Sequence, residues 1–205
     1  MKKKIAVAVS LLLVVALSIG GTIAYLTAQT DAITNTFTIG NIQITLKEMV
    51  KDASDHVVEA TTDAHKTFTV VPGGSDFKKP IITVKANSED CWLYAYVENN
   101  VQVAVQGVQT TVATLDIGSE WNVVATDGNK TLYRYTESAV TSDTKDQDFI
   151  VFTTVSYNGE LITKDNRTDI TAADTIVVKA FAHQSDNVLM LDADAAAKTQ
   201  FGFGS

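Results

Sequence analysis

Cysteine is almost absent from this chain of 205 residues: Cys91 stands alone. A single thiol excludes an intramolecular disulfide framework. Between Asp90 and Trp92, at the start of a strand-like run, it reads as a small half-buried filler. A thiol nucleophile needs a histidine brought close, and nothing in the sequence places His183 there. Histidine is scarce too, limited to His56, His65 and His183. Hydrolytic zinc sites want two histidines one helical turn apart with a carboxylate beside them, and no such spacing occurs. His56-Val57-Val58-Glu59 pairs a histidine with an acid, but in a polar connection, so solvated loop histidines are expected. Also missing are a Gly-x-Ser-x-Gly elbow, a phosphate-cradling glycine loop, heptads, a sortase-type pentapeptide and a C-terminal anchor. The sequence therefore points away from an enzyme and calls for no cofactor and no metal.

Basic residues are outnumbered, with 16 Lys and Arg against 24 Asp and Glu, a formal charge of −8 and a pI near 4.8. Nucleic acid is an unsuitable partner for such a surface, because phosphates need a basic one. The acids at 143–148 and 165–169 offer spaced oxygens for weak Ca²⁺ binding. Neither matches the twelve-residue loop with its central glycine and terminal glutamate.

What is present begins at the N-terminus. Lys2, Lys3 and Lys4 precede an apolar run over 5–19 broken only by Ser10 and Ser18, and Gly20-Gly21 end the helical pattern. A positive cluster, an apolar core and a small-residue exit make an export signal. Thr22 and Ala24 are the small residues a peptidase cleft requires, so cutting falls after Ala24, with Tyr25-Leu26 as the other candidate bond. An uncleaved anchor helix over 5–28 is long enough to span a bilayer; on either reading the rest of the chain lies outside the cytoplasm. Losing Lys2, Lys3 and Lys4 takes the charge from −8 to −11, which suits a secreted protein and makes assembly sensitive to salt and pH.

Beyond the signal, Thr, Val, Ile and aromatics dominate, and turn residues recur at the spacing of a sandwich or barrel. Phe37 and Ile39 share one phase and Ile42, Ile44 and Leu46 the other, with a bulge or bend expected at Gly40. Val71-Pro72-Gly73-Gly74 is a turn by composition. Residues 81–85 and 91–98 read as strands joined by a hairpin connection at 86–90, and Val101, Val103 and Val105 as a half-exposed strand. Asp127-Gly128-Asn129 and Asn158-Gly159 are hairpin signals. Phe149-Ile150-Val151-Phe152 reads as a strand buried on both faces, 175–183 as the last long strand, and 191–201 as a short helix. The sequence thus predicts an all-β fold, a single antiparallel β-sandwich of jelly-roll or immunoglobulin-like type after a cleaved signal helix. Its expected divisions are a signal peptide (1–24), an N-terminal linker or donor strand (25–36) and the sandwich (37–205).

Gly21-Thr22-Ile23-Ala24-Tyr25-Leu26-Thr27, a polar linker, then Asn35-Thr36-Phe37-Thr38-Ile39-Gly40-Asn41-Ile42-Gln43-Ile44-Thr45-Leu46 resembles the N-terminus of the TasA/camelysin family. The acid often found after Thr27 is replaced here by Ala28 and Gln29. Looser similarity runs on through Val71-Pro72-Gly73, Lys78-Lys79 and 93–98. The resemblance implies Gram-positive secretion, processing by an ER-type signal peptidase at Thr22, Ala24 and Tyr25, and biofilm-matrix fibres. It also raises a camelysin-like metallopeptidase, for which His56 and His65 are the residues to test.

The segment 25–36 has no glycine or proline and a single charge, Asp31. Such a strand can add to a neighbour's sheet edge, giving a head-to-tail fibre because a heterologous contact need not close. Leu26, Thr27, Ala28, Ile33 and Asn35 are its expected assembly residues. The expected partners are further copies of the chain, the signal peptidase, and cell-wall or matrix components. A third reading is a monomeric adhesin presenting Tyr94, Tyr96, Tyr133 and Tyr135 on an outer sheet face, although such tyrosines also form cross-strand packing pairs.

Overall fold

The computed structural model describes residues 36–39, 41–52, 54–60, 70–136, 138–170 and 175–204. The strands are β1 (Thr36–Ile39), β2 (Ile44–Lys51), β3 (Val57–Glu59), β4 (Ser75–Val84), β5 (Cys91–Asn99), β6 (Gln102–Val105) and β7 (Val108–Thr111). They continue with β8 (Ala113–Leu115), β9 (Trp121–Asp127), β10 (Lys130–Tyr135), β11 (Phe149–Ile150), β12 (Thr154–Tyr157) and β13 (Ile176–Gln184), followed by one helix, α1 (Met190–Gln200).

Two sheets carry the fold. The first runs β1-β13-β5-β10-β9 and the second β3-β2-β4-β12-β8, with β11 also paired to β4; β6 and β7 form a separate hairpin. Strand residues alternate between faces, and β5 shows the consequence. Cys91, Leu93, Ala95 and Val97 enter the core between the sheets, where they meet Ile42, Ile82, Val84, Phe152 and Ala182. Tyr94 and Tyr96 point the other way and join Leu132 and Phe181 beneath Ala193 and Ala197 of α1. The molecule is all-β in character, a sandwich-like pair of mainly antiparallel sheets with one covering helix. The exception is β1, which runs parallel to β13 with Thr36 opposite Ala180 and Ile39 opposite His183. Nearly the whole domain separates these two strands, so no tight turn imposes an antiparallel pairing.

The change of phase around Gly40 is not a bulge within one strand. β1 belongs to the first sheet and β2 to the second, so the chain changes sheets between Ile39 and Ile44; Gly40 itself lies outside the described residues. The expected hairpin at 86–90 is also an inter-sheet crossing, since β4 and β5 lie in different sheets. Ser88 stabilises that corner: its hydroxyl accepts from Gln43 N at 2.8 Å and donates to Gln43 O at 3.1 Å.

Two further expectations fail at Asn158-Gly159 and Phe149-Ile150-Val151-Phe152. No strand begins over residues 160–170; Asn158 Oδ1 instead accepts from Glu160 N and Leu161 N, making a local turn. Gly159 answers a close approach, because a Cβ there would lie 3.0 Å from Gly73 N. The apolar run at 149–152 gives only a two-residue strand. Phe149, Val151 and Phe152 are buried, whereas Ile150 is 36% exposed.

Pro80 sits inside β4, where a proline normally breaks a ladder. Its carbonyl accepts from Val151 N, so its nitrogen faces the same neighbour. That is where the chain passes from β11 to β12, and the missing N–H coincides with the break between them. The Gly128-Asn129 hairpin forms as expected, with Asp127 opposite Lys130 and Gly128 at φ 58°. The Val101, Val103 and Val105 strand also forms, but Val103 is fully buried. It turns at Gln106-Gly107, where both φ values are positive, at 51° and 82°.

Candidate functional site: a covered face and the sheet edges

The processing residues Thr22, Ala24 and Tyr25, and the assembly residues Leu26, Thr27, Ala28, Ile33 and Asn35, lie outside the described residues, as does His65. The described chain begins with β1, at the edge of the first sheet. β1 covers only residues 180–183 of the nine-residue β13.

The tyrosines expected on an outer face divide between two environments, and neither suits an adhesin. Tyr94 and Tyr96 are on the outer face of the first sheet but lie beneath α1, only 0% and 4% exposed. Tyr133 and Tyr135 pack toward the core between the sheets. Phe201 stacks on Tyr96 with centroids 4.9 Å apart, and Phe203 meets the same ring edge-on at 6.0 Å.

A buried ion pair fixes α1 in place. Arg134 Nη1 donates to both carboxylate oxygens of Asp194, at 2.8 and 2.6 Å. The Tyr94 hydroxyl donates to Asp194 Oδ1 at 2.9 Å, and Arg134 Nε donates to Thr136 O at 3.1 Å. Burial, and then the hydrogen bond to Asp194, push the Tyr94 phenol well above its ordinary range. The phenol therefore remains a donor, as the carboxylate requires.

Among the described residues, the titratable groups outside this cluster are dispersed. His56 is exposed, with Nδ1 3.7 Å from Asp52 Oδ2. His183 Nδ1 lies 3.0 Å from Gln184 O. Burial pushes the Cys91 thiol up to about 12, which leaves almost none of the reactive thiolate at neutral pH. Among the described residues no three His, Cys, Asp or Glu side chains are grouped to hold a metal. In the acidic loops, Asp146 Oδ1 accepts from Ala86 N and Asn166 Oδ1 from Thr163 N, so both serve the local backbone.

The other side of the sandwich ends in β9 and β8, the last strands of their sheets. Beside β8 a cleft of about 230 Å³ is lined by Val97, Leu115, Ile117 and Tyr133 among others, with no residue of β9 in its wall. Val123 of β9 lies opposite Tyr133 and so shares its inward face, yet it is 60% exposed. Sequence reasoning missed this region. A three-residue strand such as β8 carries little periodicity, and Val123 reads as an ordinary strand residue until its 60% exposure is seen.

Searches against protein-family models, curated proteins and solved structures match none of them.

Proposed function

We propose that the chain is an exported structural subunit whose N-terminal segment, residues 25–35, joins copies into extracellular or biofilm-matrix fibres. The observation that carries this reading is β1. It is an edge strand laid parallel on β13, so the chain after residue 35 enters the fold directly as an edge strand. A segment that extends a sheet at its own edge has the backbone habit needed to extend a neighbour's. The export signal and the resemblance to the TasA/camelysin family, whose members build matrix fibres, support the same reading. So does the acidic surface, which keeps subunits apart until a specific contact forms. In this role Thr22, Ala24 and Tyr25 are processing residues for an ER-type signal peptidase. Leu26, Thr27, Ala28, Ile33 and Asn35 lie in the linking segment, and cell-wall or matrix components are further partners.

Electron microscopy of two purified chains tests the proposal, one beginning at Tyr25 and one at Thr36. Both keep every described residue. Filaments from the first and folded single subunits from the second are expected. Folded single subunits from both, across salt and mildly acidic pH, would end the proposal.

A further inference from the structure

We infer that the cleft beside β8 binds one uncharged sugar ring, of the kind that a neutral cell-wall or matrix polysaccharide displays. This site deepens the proposed function, which names such components as partners, and it stands apart from strand joining. It lies between the sheets, not on the outer face where an adhesin would present Tyr94 and Tyr96.

The cleft forms where the alternation of β5 changes character. Leu93, Ala95 and Val97 send apolar side chains between the sheets, and the next residue in that phase is Asn99. Its Nδ2 donates at 2.8 Å to Ala113 O of β8, in the second sheet. Its Oδ1 accepts from Val101 N at 3.3 Å. An amide bonded at both ends is a strut: it ties the two sheets together without filling the space beside it. On β10, Thr131 lies opposite Val97 and Tyr133 opposite Ala95, so both share this inner face. A sandwich fills its inner faces with interdigitating core side chains. Here asparagine and threonine stand at the end of that face, and a space of about 230 Å³ stays open.

The wall divides by chemistry. Val97, Leu115 and Ile117 supply an aliphatic side, and Tyr133 adds an aromatic ring. The polar side holds Asn99, Asn129 and Thr131. Asn129 Nδ2 donates to Asn100 Oδ1 at 2.5 Å, which leaves Asn129 Oδ1, across the amide, as an acceptor. Asn99 keeps a second amide hydrogen to donate. Burial raises the Tyr133 phenol above its ordinary range, so its hydroxyl stays a neutral donor. Among the described residues, no charged side chain lines the cleft.

These features select the ligand. An ion entering the cleft would lose its hydration with no opposite charge to replace it, so the ligand is uncharged. Clefts that enclose drug-sized molecules run to about 300–1,000 Å³, so this smaller one takes a single ring. A wholly apolar ring would leave the amides unpaired. A pyranose matches both sides. Its C–H face meets the aliphatic residues and the electron-rich face of Tyr133, while its hydroxyls donate to Asn129 Oδ1 and accept from Asn99 Nδ2.

Saturation-transfer NMR on the chain beginning at Tyr25 tests the inference. The probes are methyl glucoside, methyl galactoside and N-acetylglucosamine, with glucuronate and glucosamine as charged counterparts. Transfer to the ring C–H protons of at least one neutral sugar is expected, and about tenfold less to the charged pair. Tyr133→Leu should weaken binding about tenfold, the worth of one aromatic contact. Hydrogen exchange of the unsubstituted chain needs no variant: saturating sugar should slow exchange at 97–99, 113–117 and 129–133. Three results would overturn the site. They are no transfer from any neutral sugar, equal transfer to the charged ones, or protection confined to the larger cleft at 160–169, whose wall carries Glu160, Asp165 and Asp169. Filaments without sugar binding would end this inference and leave strand joining intact; sugar binding without filaments would do the opposite.

Discussion

The first sheet is finished on one face and unfinished at one edge. Its outer face exposes Tyr94, Tyr96, Leu132 and Phe181, a surface no soluble domain leaves bare, and α1 covers it with Ala193, Ala197 and Phe203. At its β9 edge Trp121 is buried and Val124 and Ala125 are packed, whereas Val123, turned inward opposite Tyr133, is 60% exposed. Among the described residues, α1 covers the first of these surfaces, while Val123 stays 60% exposed. The covered face thus belongs to stability, and Val123 at the β9 edge is expected to contribute little to it. Substitutions should separate along that line.

The largest stability loss is expected at the ion pair beneath α1. Asp194→Ala leaves Arg134 buried without its partner, at a cost of about 3–5 kcal/mol in urea unfolding. Replacing both at once, Arg134→Met with Asp194→Leu, should recover most of that loss. A double variant as unstable as the single one would show that α1 depends on more than the pair. Tyr94→Phe removes one hydrogen bond while Arg134 still holds the carboxylate, so a loss of about 1 kcal/mol is expected. At the edge, Val123→Lys should change stability by no more than about 0.5 kcal/mol. A loss comparable to that of Asp194→Ala would place Val123 in the core and contradict the comparison.

A smaller effect concerns Asp116, just after β8. Burial pushes its carboxyl up, but hydrogen bonds from Thr153 and Thr154 outweigh it and hold it below 3.8. The folded value is depressed, so its contribution is complete above 3.8 and disappears as pH falls through the lowered value. Asp116→Asn should lower stability at neutral pH and leave the acid-unfolding curve shallower than wild type in that window; equal slopes would remove Asp116 from the account. Last, Cys91 should resist thiol reagents until the protein unfolds. Rapid labelling of the native state would show that the β5 core opens.

Several of these features were legible in the sequence, and the failures have physical causes. Period-two alternation and turn chemistry located β5, the Gly128-Asn129 hairpin, β13 and α1, because each is long or carries a specific turn residue. The sheet to which each strand belongs was not legible. At 86–90 a five-residue connection can close a hairpin or cross between sheets, and only the burial of β5 on both faces selects the crossing. Asn158-Gly159 carries the composition of a hairpin, but Gly159 is required by the nearby Gly73 backbone. Tyr94 and Tyr96 were read as an outer face correctly, but α1 over them is a long-range contact that no local pattern encodes. The cleft depends on sheet order alone. The export signal and the linking segment remain readings of residues 1–35.

The most direct measurement mixes the two chain lengths. On the proposed reading, a chain beginning at Thr36 lacks the linking segment, so it can accept a neighbour's segment but not continue the series. Sedimentation velocity of the chain beginning at Tyr25, with rising additions of the shorter chain, should show the assembled mass falling steadily as ends are capped. An assembled mass indifferent to the shorter chain, or a shorter chain that assembles by itself, would contradict the claim that residues 25–35 join one copy to the next.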